Sequence, residues 1–441
     1  MTSSVDRSRA RLSVIAAILA LAMLALGCSS DSSGGGSATS APASTGAVLR
    51  VPEDFPTIQA AVDAAKPGDL VLIAPGVYRE GVVVQTENIV IRGLDRNEVI
   101  IDGEFTRDNG IKVFADGVAV ENLTVRNNTG NGLFFTGDYD SDYVLTGYRA
   151  SYVTAYNNGD YGIYAFNARL GIIEDSYGSG HPDSAFYIGQ CNPCDAVIRN
   201  VLAENNMLGY SGTNSSTNLY LINSEWRRNM IGVVPNSQDS EKLAPQGHMV
   251  IAGNYIHDNN NPGVPINNDT YRLASGTGIV ITGGVENLVT KNRVEDNLRG
   301  NIVVILWPFR DPGLPPFEAI GNRIIGNIAR GATGIGDLVL WLADSSQGVQ
   351  GNCFADNDFL TSFPADIEKV APCDAPGGKG LPDIDLDKLT MGPPGVDYKT
   401  VPPPPPQPNM PDAATAPARP ATDIVIDVDV DAITMPARRG S

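Results

Sequence analysis

Three aspartates alternate with other residues in one short loop and are the clearest candidate for metal binding. Asp138, Asp140 and Asp142 lie in the stretch GDYDSDY. Alternate carboxylates in a loop can converge on one hard cation such as calcium. An EF-hand loop would have Gly and Glu where this chain has Tyr143 and Arg149. The three aspartates are therefore a candidate calcium site of another kind, and a solvated acidic loop is the alternative.

His181 and Asp183 have the residue types that acid–base catalysis requires. They lie in the stretch GSGHPD, and a histidine with a carboxylate two residues away can move protons near neutral pH. The strand-like run SAFYIGQ follows and carries Tyr187 and Gln190. We interpret His181 and Asp183 as candidate catalytic residues, and Tyr187 and Gln190 as candidate substrate contacts. A hydrogen-bonded turn histidine is the alternative.

Arg310 is a candidate for binding an acidic substrate. It lies in the insertion WPFRDPG, beside aromatic residues that can stack on sugar rings. Pairing with a nearby carboxylate on the surface is the more common fate of such an arginine.

The composition limits the classes of partner. The chain has 441 residues, a net charge of −19, 42% hydrophobic residues and 18% charged residues. It can therefore bury a large core, and its 47 Gly and 31 Pro suit many short strands joined by turns. The acidic balance disfavours nucleic acid as a partner, and it repels a polyuronic acid unless a cation or a local basic cleft intervenes.

The N-terminus predicts export. Arg7, Arg9 and Arg11 precede the apolar run LSVIAAILALAMLAL and the pair Gly27-Cys28. A basic start, a short apolar stretch and a small residue before the cleavage site are typical of a secretory signal. The run is shorter than the roughly 20 apolar residues that a membrane-spanning helix needs.

The end of this signal, LALGC, resembles the lipobox of bacterial lipoproteins, in which the Cys is acylated and becomes the new N-terminus. Ala25 and Leu26 are swapped relative to the order that this family prefers. The resemblance implies a signal peptide over 1–27, lipidation at Cys28, a flexible Ser- and Gly-rich tether over 28–47, and a location on the outer face of the bacterial cell membrane. A plain cleaved signal is the alternative.

Four further cysteines predict two disulfides. Export favours oxidation, and proximity in sequence pairs Cys191 with Cys194 and Cys353 with Cys373. A redox-active CNPC motif is the alternative for the first pair. Such motifs usually open a helix, whereas strand-like runs flank this one.

Asparagines punctuate most of the chain at a fixed step. A second Asn follows five residues after each of Asn122, Asn200, Asn254, Asn292, Asn322 and Asn352. The repeats advance by roughly 23–31 residues, with a longer insertion at about 258–276, and this period fits a coil of three strands. Asn tolerates left-handed backbone geometry at sharp turns, and stacked Asn side chains can hydrogen-bond along a ladder.

The beginning of the folded region carries a family resemblance. Pro56 suits a helix start, and Ile58, Ala61 and Val62 share one face of the predicted helix. The stretches TIQAAVDAAKPGDLVLIAPGVYRE and IVIRGLDRNEVIIDG resemble the opening of right-handed parallel β-helix proteins of the pectin-lyase-like superfamily. The resemblance implies an all-β solenoid over 48–375 whose open end is capped by an N-terminal helix.

After the solenoid the pattern changes. We expect an irregular Pro-rich linker over 376–422 and an acidic tail over 423–441. The alternation IVIDVDVD in this tail predicts a strand that docks on a sheet edge, or a disordered acidic end.

The resemblance leaves the activity open. The superfamily holds lyases, hydrolases, esterases, epimerases and adhesins, and its lyases use Arg or Lys as a base with calcium neutralising a uronate. The Asp-Pro-His-Asp of alginate epimerases and the Asn-Thr-Asp of polygalacturonases are absent from the sequence. We expect a monomeric, lipid-anchored protein that binds or modifies polysaccharide, as a lyase or an epimerase if it is an enzyme. A non-catalytic surface scaffold, adhesin or envelope-assembly protein is the alternative.

Overall fold

The computed structural model describes residues 46–310, 312–342, 348–375, 381 and 390–438. The predicted signal peptide, the lipidation at Cys28 and all but the last two residues of the tether lie outside these ranges.

Short parallel strands stack into two long sheets. The first, sheet 1, has 21 strands in the described residues: Val48–Val51, Leu70–Ile73, Gly76–Tyr78, Val90–Gly93, Val99–Asp102, Val118–Arg126, Leu145–Tyr156, Ala168–Glu174, Tyr177–Ser179, Ala196–Arg199, Leu202–Glu204, Ser216–Ile222, Glu225–Arg227, Gly247–Ala252, Tyr255–His257, Leu288–Thr290, Arg293–Glu295, Arg323–Ile325, Ile328–Arg330, Cys353–Ala355 and Asp358–Phe359. The second, sheet 2, has 11: Val82–Val84, Ile111–Val113, Leu133–Thr136, Ile163–Phe166, Ser184–Gly189, Leu208–Thr213, Ile231–Asn236, Thr277–Thr282, Gly300–Ile305, Gly336–Trp341 and Ser362–Phe363.

Each turn of the chain adds strands to both sheets, in parallel register with the turn before. In sheet 2, Ile163 pairs with Leu133 on one side and with Phe186 on the other. One apolar core, made of the inward side chains of both sheets, fills the coil along its length. The chain is therefore a right-handed parallel β-helix, as the sequence predicted.

The helix Ile58–Ala64 forms at the predicted place. Thr57 caps it by accepting a hydrogen bond from the amide of Ala60, and Ile58, Ala61 and Val62 bury the apolar face against the first strands. A second short helix spans Ile367–Val370 near the other end of the solenoid, and 3-10 helices span Asp269–Ala274 and Tyr398–Thr400. None of the helices in the described part of the chain is long and apolar enough to cross a membrane.

The asparagines fall into two structural roles rather than one. Asn200 and Asn205 adopt left-handed backbone geometry, with φ of 54° and 63°. Asn206, one residue later, is fully buried, and its Nδ2 donates a hydrogen bond of 2.9 Å to Oδ1 of Asn229 in the following turn of the solenoid. We call this row of buried, hydrogen-bonded asparagines the asparagine ladder. The five-residue step in the sequence joins two left-handed asparagines in some turns of the solenoid, such as Asn200 and Asn205, and two buried ladder asparagines in others, such as Asn254 and Asn259.

Both predicted disulfides form in the structure. Cys191 bonds to Cys194 and Cys353 bonds to Cys373. Redox-active motifs of the CNPC type usually lie at the start of a helix. Here the motif instead joins two strands, Ser184–Gly189 and Ala196–Arg199.

Residues 402–438 lie along the outside of sheet 1, whereas Gly392 and Val396 donate main-chain hydrogen bonds to the insertion at 258–276. The main-chain carbonyls of 402–438 accept hydrogen bonds from solenoid side chains: Arg92 to Ala416 at 2.7 Å, Arg96 to Pro408 at 3.0 Å, Lys291 to Val430 at 3.0 Å and Arg293 to Pro436 at 2.9 Å. The apolar residues Val428 and Ile433 pack with Val197 and Ala252. The tail thus contacts the solenoid over its described residues without forming a strand.

Candidate active site

The outer face of sheet 2 carries a row of aromatic side chains. In strand Ile163–Phe166 the side chains of Ile163 and Ala165 are buried inside, so Tyr164 and Phe166 point outward. Register places Tyr164 between Phe134 and Tyr187 of the neighbouring strands. The ring centroids of Phe134 and Tyr164 are 4.6 Å apart, and those of Tyr164 and Tyr187 are 4.8 Å apart.

A third tyrosine completes this row. Tyr161, from the turn before the strand, stacks on Tyr164 with centroids 4.3 Å apart and meets Tyr187 edge-on at 5.1 Å. We call Tyr161, Tyr164 and Tyr187 the tyrosine cluster. Burial raises the pKa of each of the three hydroxyls, so they stay neutral hydrogen-bond donors through the physiological range.

Asp183 lies at one side of the tyrosine cluster. Burial, together with the charge of Asp160, raises the pKa of its carboxyl to about 7, against hydrogen bonds from Tyr161, Asn267 and Ser211 that favour the charged form. The Oγ of Ser211, which points outward on the next strand, is 3.5 Å from its Oδ1. A carboxyl with this pKa is balanced between its charged and neutral forms at pH 7.

Glu241 lies at the other side of the cluster. Tyr187 donates its hydroxyl hydrogen to Oε1 of Glu241, and burial raises the pKa of this carboxyl to about 8. Its Oε2 is buried, and a hydrogen bond from the main-chain amide of Gln190 opposes the rise in pKa by favouring the charged form. A pKa of about 8 favours the neutral form of Glu241 at pH 7.

Two loops hold these carboxyls over sheet 2. The side-chain Nδ2 of Asn214 donates hydrogen bonds of 2.8 Å to the main-chain carbonyls of Gln238 and Glu241, and so fixes the loop that carries Glu241. The insertion at 258–276 supplies Asn267, whose Nδ2 is 2.8 Å from Oδ1 of Asp160. Burial raises the pKa of Asp160 to about 6 despite this hydrogen bond.

Two lysines border the aromatic row. The Nζ of Lys112 lies 4.8 Å from the ring centroid of Phe114 and 5.2 Å from that of Phe134. The Nζ of Lys242 lies 3.8 Å from the ring centroid of Tyr139, and Tyr139 in turn packs on Phe166. Positive charge therefore flanks the aromatic row in an otherwise acidic protein.

The structure separates His181 from Asp183. His181 is fully buried inside the coil, with its Nδ1 2.8 Å from Oδ1 of Asn206 and its Nε2 3.2 Å from Nδ2 of Asn158. It occupies one position of the asparagine ladder, and burial lowers its pKa to about 4. The catalytic role predicted for His181 is corrected to a structural one, because its ring faces the core. Asp183 remains a candidate on the outer face.

Gln190 and Arg310 are engaged by the protein itself. The side-chain oxygen of Gln190 accepts a hydrogen bond of 3.2 Å from the amide of Leu243, so Gln190 positions the loop that carries Glu241. Arg310 pairs with Asp239 at 2.6 Å and lies over the ring of Phe317 at 3.8 Å. The sequence predicted four site residues between positions 181 and 190. The structure brings two of them, Asp183 and Tyr187, together at the outer face of sheet 2.

The aspartate loop forms a turn. The two carboxylate oxygens of Asp138 accept hydrogen bonds from Asp140 and Ser141 of its own loop, while the side chain of Asp142 is 93% exposed. Hydrogen bonding by Ser141 lowers the pKa of Asp138. Within the described ranges no group of three or more His, Cys, Asp or Glu side chains is arranged to hold a metal ion.

Sequence reasoning missed Tyr161, Tyr164, Glu241 and the lysines. The run YGIYAF does alternate aromatic and small apolar residues, and this alternation marks Tyr164 and Phe166 as one face of a strand. Glu241 gives no such signal, since it comes from a loop 54 residues after Tyr187, its partner.

Known protein families and curated proteins give no match to this chain. Among solved structures it is similar to the A-module of a mannuronan C-5 epimerase from Azotobacter vinelandii, at 15% identity over 68% of this chain and 90% of that one, with a TM-score of 0.49. It is also similar to an alginate lyase from Paenibacillus, at 14% identity over 64% and 94%, with a TM-score of 0.39. A third is a DFA-IIIase from Arthrobacter chlorophenolicus, at 13% identity over 71% and 89%, with a TM-score of 0.46. These likenesses concern the fold, so the function has to be argued from the site.

Proposed function

We propose that the outer face of sheet 2 binds an acidic polysaccharide and modifies it by acid–base chemistry of the lyase or epimerase type. The observation that carries this proposal is the tyrosine cluster with a carboxyl on each side, Asp183 with a pKa of about 7 and Glu241 with a pKa of about 8. Carboxyls whose pKa values are raised by burial towards neutral pH are typical of acid–base sites.

The aromatic row supports sugar binding. Phe134 and Tyr164 are partly exposed, and because their rings stack on each other along the direction in which the rungs repeat, they present ring edges to the outside. Parallel strands are about 4.8 Å apart, so a chain of sugar rings that follows the solenoid axis meets a new rung every 4.8 Å. These ring edges offer apolar contact, and the tyrosine hydroxyls at the edges offer hydrogen bonds to sugar hydroxyls.

The lysines support an acidic sugar. Lys112 and Lys242 lie at the two margins of the aromatic row and are both solvent-accessible. They would offset the repulsion that a protein of net charge −19 exerts on a uronate. Calcium held by Asp138, Asp140 and Asp142 would act in the same direction, and remains a proposal.

The two carboxyls can complete an elimination. Charged Asp183 takes the proton from the carbon next to the uronate carboxyl, and that electron pair forms a carbon–carbon double bond as the bond to the glycosidic oxygen breaks. Neutral Glu241 gives its proton to the leaving oxygen. If Glu241 instead returns a proton to the opposite face of the same carbon, the result is epimerisation without cleavage.

The test is a screen of uronate polysaccharides for unsaturated chain ends by ultraviolet absorbance, with and without calcium. The same samples are analysed by NMR for inverted C5 centres. We expect product from wild type, and losses of at least about 100-fold in Asp183→Asn and Glu241→Gln, since general acid–base groups contribute about 10²–10⁴-fold. The control is Glu53→Gln, an exposed acid whose side chain is 74% accessible.

Each outcome decides something. Equal activity in the control and the two cleft variants would refute the assignment of acid and base. Polysaccharide binding without any product would favour the alternative function, a non-catalytic surface scaffold or adhesin. A requirement for calcium whose half-maximal concentration rises in Asp140→Asn would support the metal proposal.

The two disulfides indicate an exported protein, because such bonds persist in oxidising compartments. Anchoring through a lipid on Cys28 is our proposal, supported by the signal-like N-terminus. Cys28→Ala should move the protein from the membrane fraction to the soluble exported fraction. Unchanged membrane association in this variant would refute lipidation at Cys28.

A further inference from the structure

The insertion at 258–276 covers one side of the carboxyl site. The main-chain amide of Asn267 donates a hydrogen bond of 3.0 Å to the carbonyl of Pro182, directly before Asp183. Its side-chain Nδ2 donates to Oδ1 of Asp160 at 2.8 Å. The insertion therefore touches the solenoid at the two turns that carry these carboxyls.

Asp160 and Asp183 hold equivalent positions in consecutive turns of the solenoid. The main-chain amide of Asp183 donates to the carbonyl of Asp160 at 3.2 Å. Consecutive turns are about 4.8 Å apart, so two charged carboxylates at this position repel each other. Burial, and after it the charge of Asp160, raises the pKa of Asp183.

The side chain of Asn267 bridges this pair. Its NH2 group has two hydrogens, and it bonds to both Asp160 and Asp183. Both bonds favour the charged form of the carboxyl, because a carboxylate accepts a hydrogen bond more strongly than a neutral acid does. One neutral amide thus stabilises charge on two groups that would otherwise repel each other.

Four further titratable groups face the pair, namely Asp108, Tyr161, Tyr164 and Tyr271. Burial raises the pKa of each tyrosine, so all three are neutral near pH 7, and Asp108 adds negative charge. These four groups supply no positive charge. Hydrogen bonds such as those from Asn267 therefore stabilise the charged pair.

Residues 390–396 hold the outer side of the insertion, and we call them the clamp. The amide of Gly392 donates to the carbonyl of Arg272 at 2.9 Å, and Nη2 of Arg272 donates back to the carbonyl of Gly392 at 2.8 Å. The amide of Val396 donates to the carbonyl of Val264 at 3.0 Å. These contacts lie on both sides of the bridging asparagine in the sequence, so the clamp fixes the part of the insertion that reaches the carboxyls.

Two glycines let the clamp approach the insertion closely. A Cβ atom on Gly392 would lie 2.5 Å from the Cβ of Ser275, and one on Gly395 would lie 2.7 Å from the main-chain nitrogen of Ile266. Real Cβ atoms do not come this close to other heavy atoms, so a side chain at either glycine must push the clamp away. The contact therefore depends on glycine at these two positions.

We propose that Asn267 is a positioning residue that holds Asp160 and Asp183 in one hydrogen-bonded unit, and that the clamp at 390–396 keeps it over the carboxyls. The catalytic consequence rests on the proposed function, in which Asp183 is the base. The hydrogen-bonded unit itself does not depend on that function.

The bridge and the clamp act on Asp183 in opposite directions. The bridge favours the charged form through a hydrogen bond, whereas the clamp keeps the insertion in place and so keeps water away. Burial is the largest cause of the raised pKa of Asp183. Removing the bridge should therefore raise this pKa further, and opening the clamp should lower it.

The test of the bridge measures the pKa of Asp183 by carboxyl carbon-13 NMR of the protein labelled at aspartate, with the signal assigned by its loss in Asp183→Asn. Asn267→Leu keeps a side chain of similar size and removes its hydrogen bonds. We expect Asp183 to bind its proton about tenfold more tightly in this variant, a rise in pKa of about one pH unit. Asn267→Asp adds a third carboxyl and should also raise it. An unchanged or lower pKa in folded Asn267→Leu would overturn the bridge.

The clamp is tested by Gly395→Val, which pushes it away from the insertion. Water then reaches Asp183, and its pKa should fall from about 7 towards the ordinary value of 3.8. A chain that ends after Leu389 should show the same fall, whereas one that ends after Thr400 keeps the clamp and should not. Met391→Ala, at a residue that is 48% exposed, is the control for substitution within the clamp. An unchanged pKa in folded Gly395→Val and in the shortest chain would overturn the role of the clamp.

Activity separates this proposal from the proposed function. On the polysaccharide that the screen identifies, the acid limb of kcat/KM should move to higher pH in Asn267→Leu and to lower pH in Gly395→Val. If the pKa of Asp183 responds in these two directions and no polysaccharide is modified, the proposed function fails and the positioning role stands. If product forms while the pKa of Asp183 is the same in every variant, the positioning role fails and the proposed function stands.

Discussion

Tyr187 and Tyr161 each donate to a different carboxyl of the cleft, Tyr187 to Glu241 and Tyr161 to Asp183. Both hydrogen bonds favour the charged form of their carboxyl, so both lower a pKa that burial has raised. Activity should require Asp183 charged and Glu241 neutral. The rate should therefore rise with pH through about 7 and fall through about 8.

We predict that Tyr187→Phe shifts the alkaline limb of kcat/KM to higher pH, because the pKa of Glu241 rises without its hydrogen bond. Tyr161→Phe should instead move the acid limb to higher pH through Asp183. The two variants act as controls for each other in pH–rate profiles on the polysaccharide that the screen identifies. Shifts of the same limb in both variants would contradict the assignment.

His181 should make stability depend on pH. Its folded pKa of about 4 lies below the ordinary value of 6.5, so the unfolded chain binds more protons between these values. Stability is thus lost as pH falls from 6.5 towards 4, by up to about 3 kcal/mol. His181→Asn restores the residue type of the ladder and should flatten this part of the curve in urea unfolding. An unchanged loss of stability between pH 6.5 and 4 in folded His181→Asn would contradict this assignment.

Asparagine ladders are the elements that tie one rung to the next. Asn259 donates to Trp226 and Asn297 and accepts from Asn229, all inside the core. We predict that Asn259→Ala lowers the free energy of unfolding by about 2–4 kcal/mol, because it leaves several buried groups without partners. The control is Asn200→Gly, where φ is 54° and Gly adopts the same backbone without strain. Equal destabilisation of both variants in urea denaturation would show that the hydrogen bonds of the ladder add nothing to stability beyond those of an ordinary asparagine.

At the scale of the whole molecule, the sequence predicted the repeated strands of the solenoid and missed the loops that carry site residues. The rung period and the first helix follow from local pattern, and both disulfides follow from proximity in sequence. His181 was misjudged because imidazole, like the amide of Asn, can donate and accept in a ladder, so residue type alone hides its orientation. Glu241 and Asn267 reach the cleft from loops whose paths no periodicity encodes.

The C-terminal segment was also misjudged, since its Pro-rich composition indicated a linker, whereas residues 402–438 pack on sheet 1. Beneath it, Glu121 is buried between Arg92, at 2.7 Å, and Arg149, at 2.6 Å. Both arginines also bond to carbonyls of the segment, Arg92 to Ala416 and Arg149 to Arg419. The segment therefore completes the partners of a buried ionic group, which is costly when its partners are incomplete.

We predict that ending the chain after Thr400 lowers the thermal midpoint by several degrees while leaving the parallel sheets intact. The truncation exposes the ionic group of Arg92, Glu121 and Arg149 and the apolar patch around Val197, and each lost kcal/mol lowers Tm by a few degrees or less in a chain of this size. Calorimetry and far-ultraviolet circular dichroism measure the two effects. The control ends after Arg438 and keeps every described contact of the segment. A midpoint equal to that of the control would mean that the segment lies on the solenoid without stabilising it.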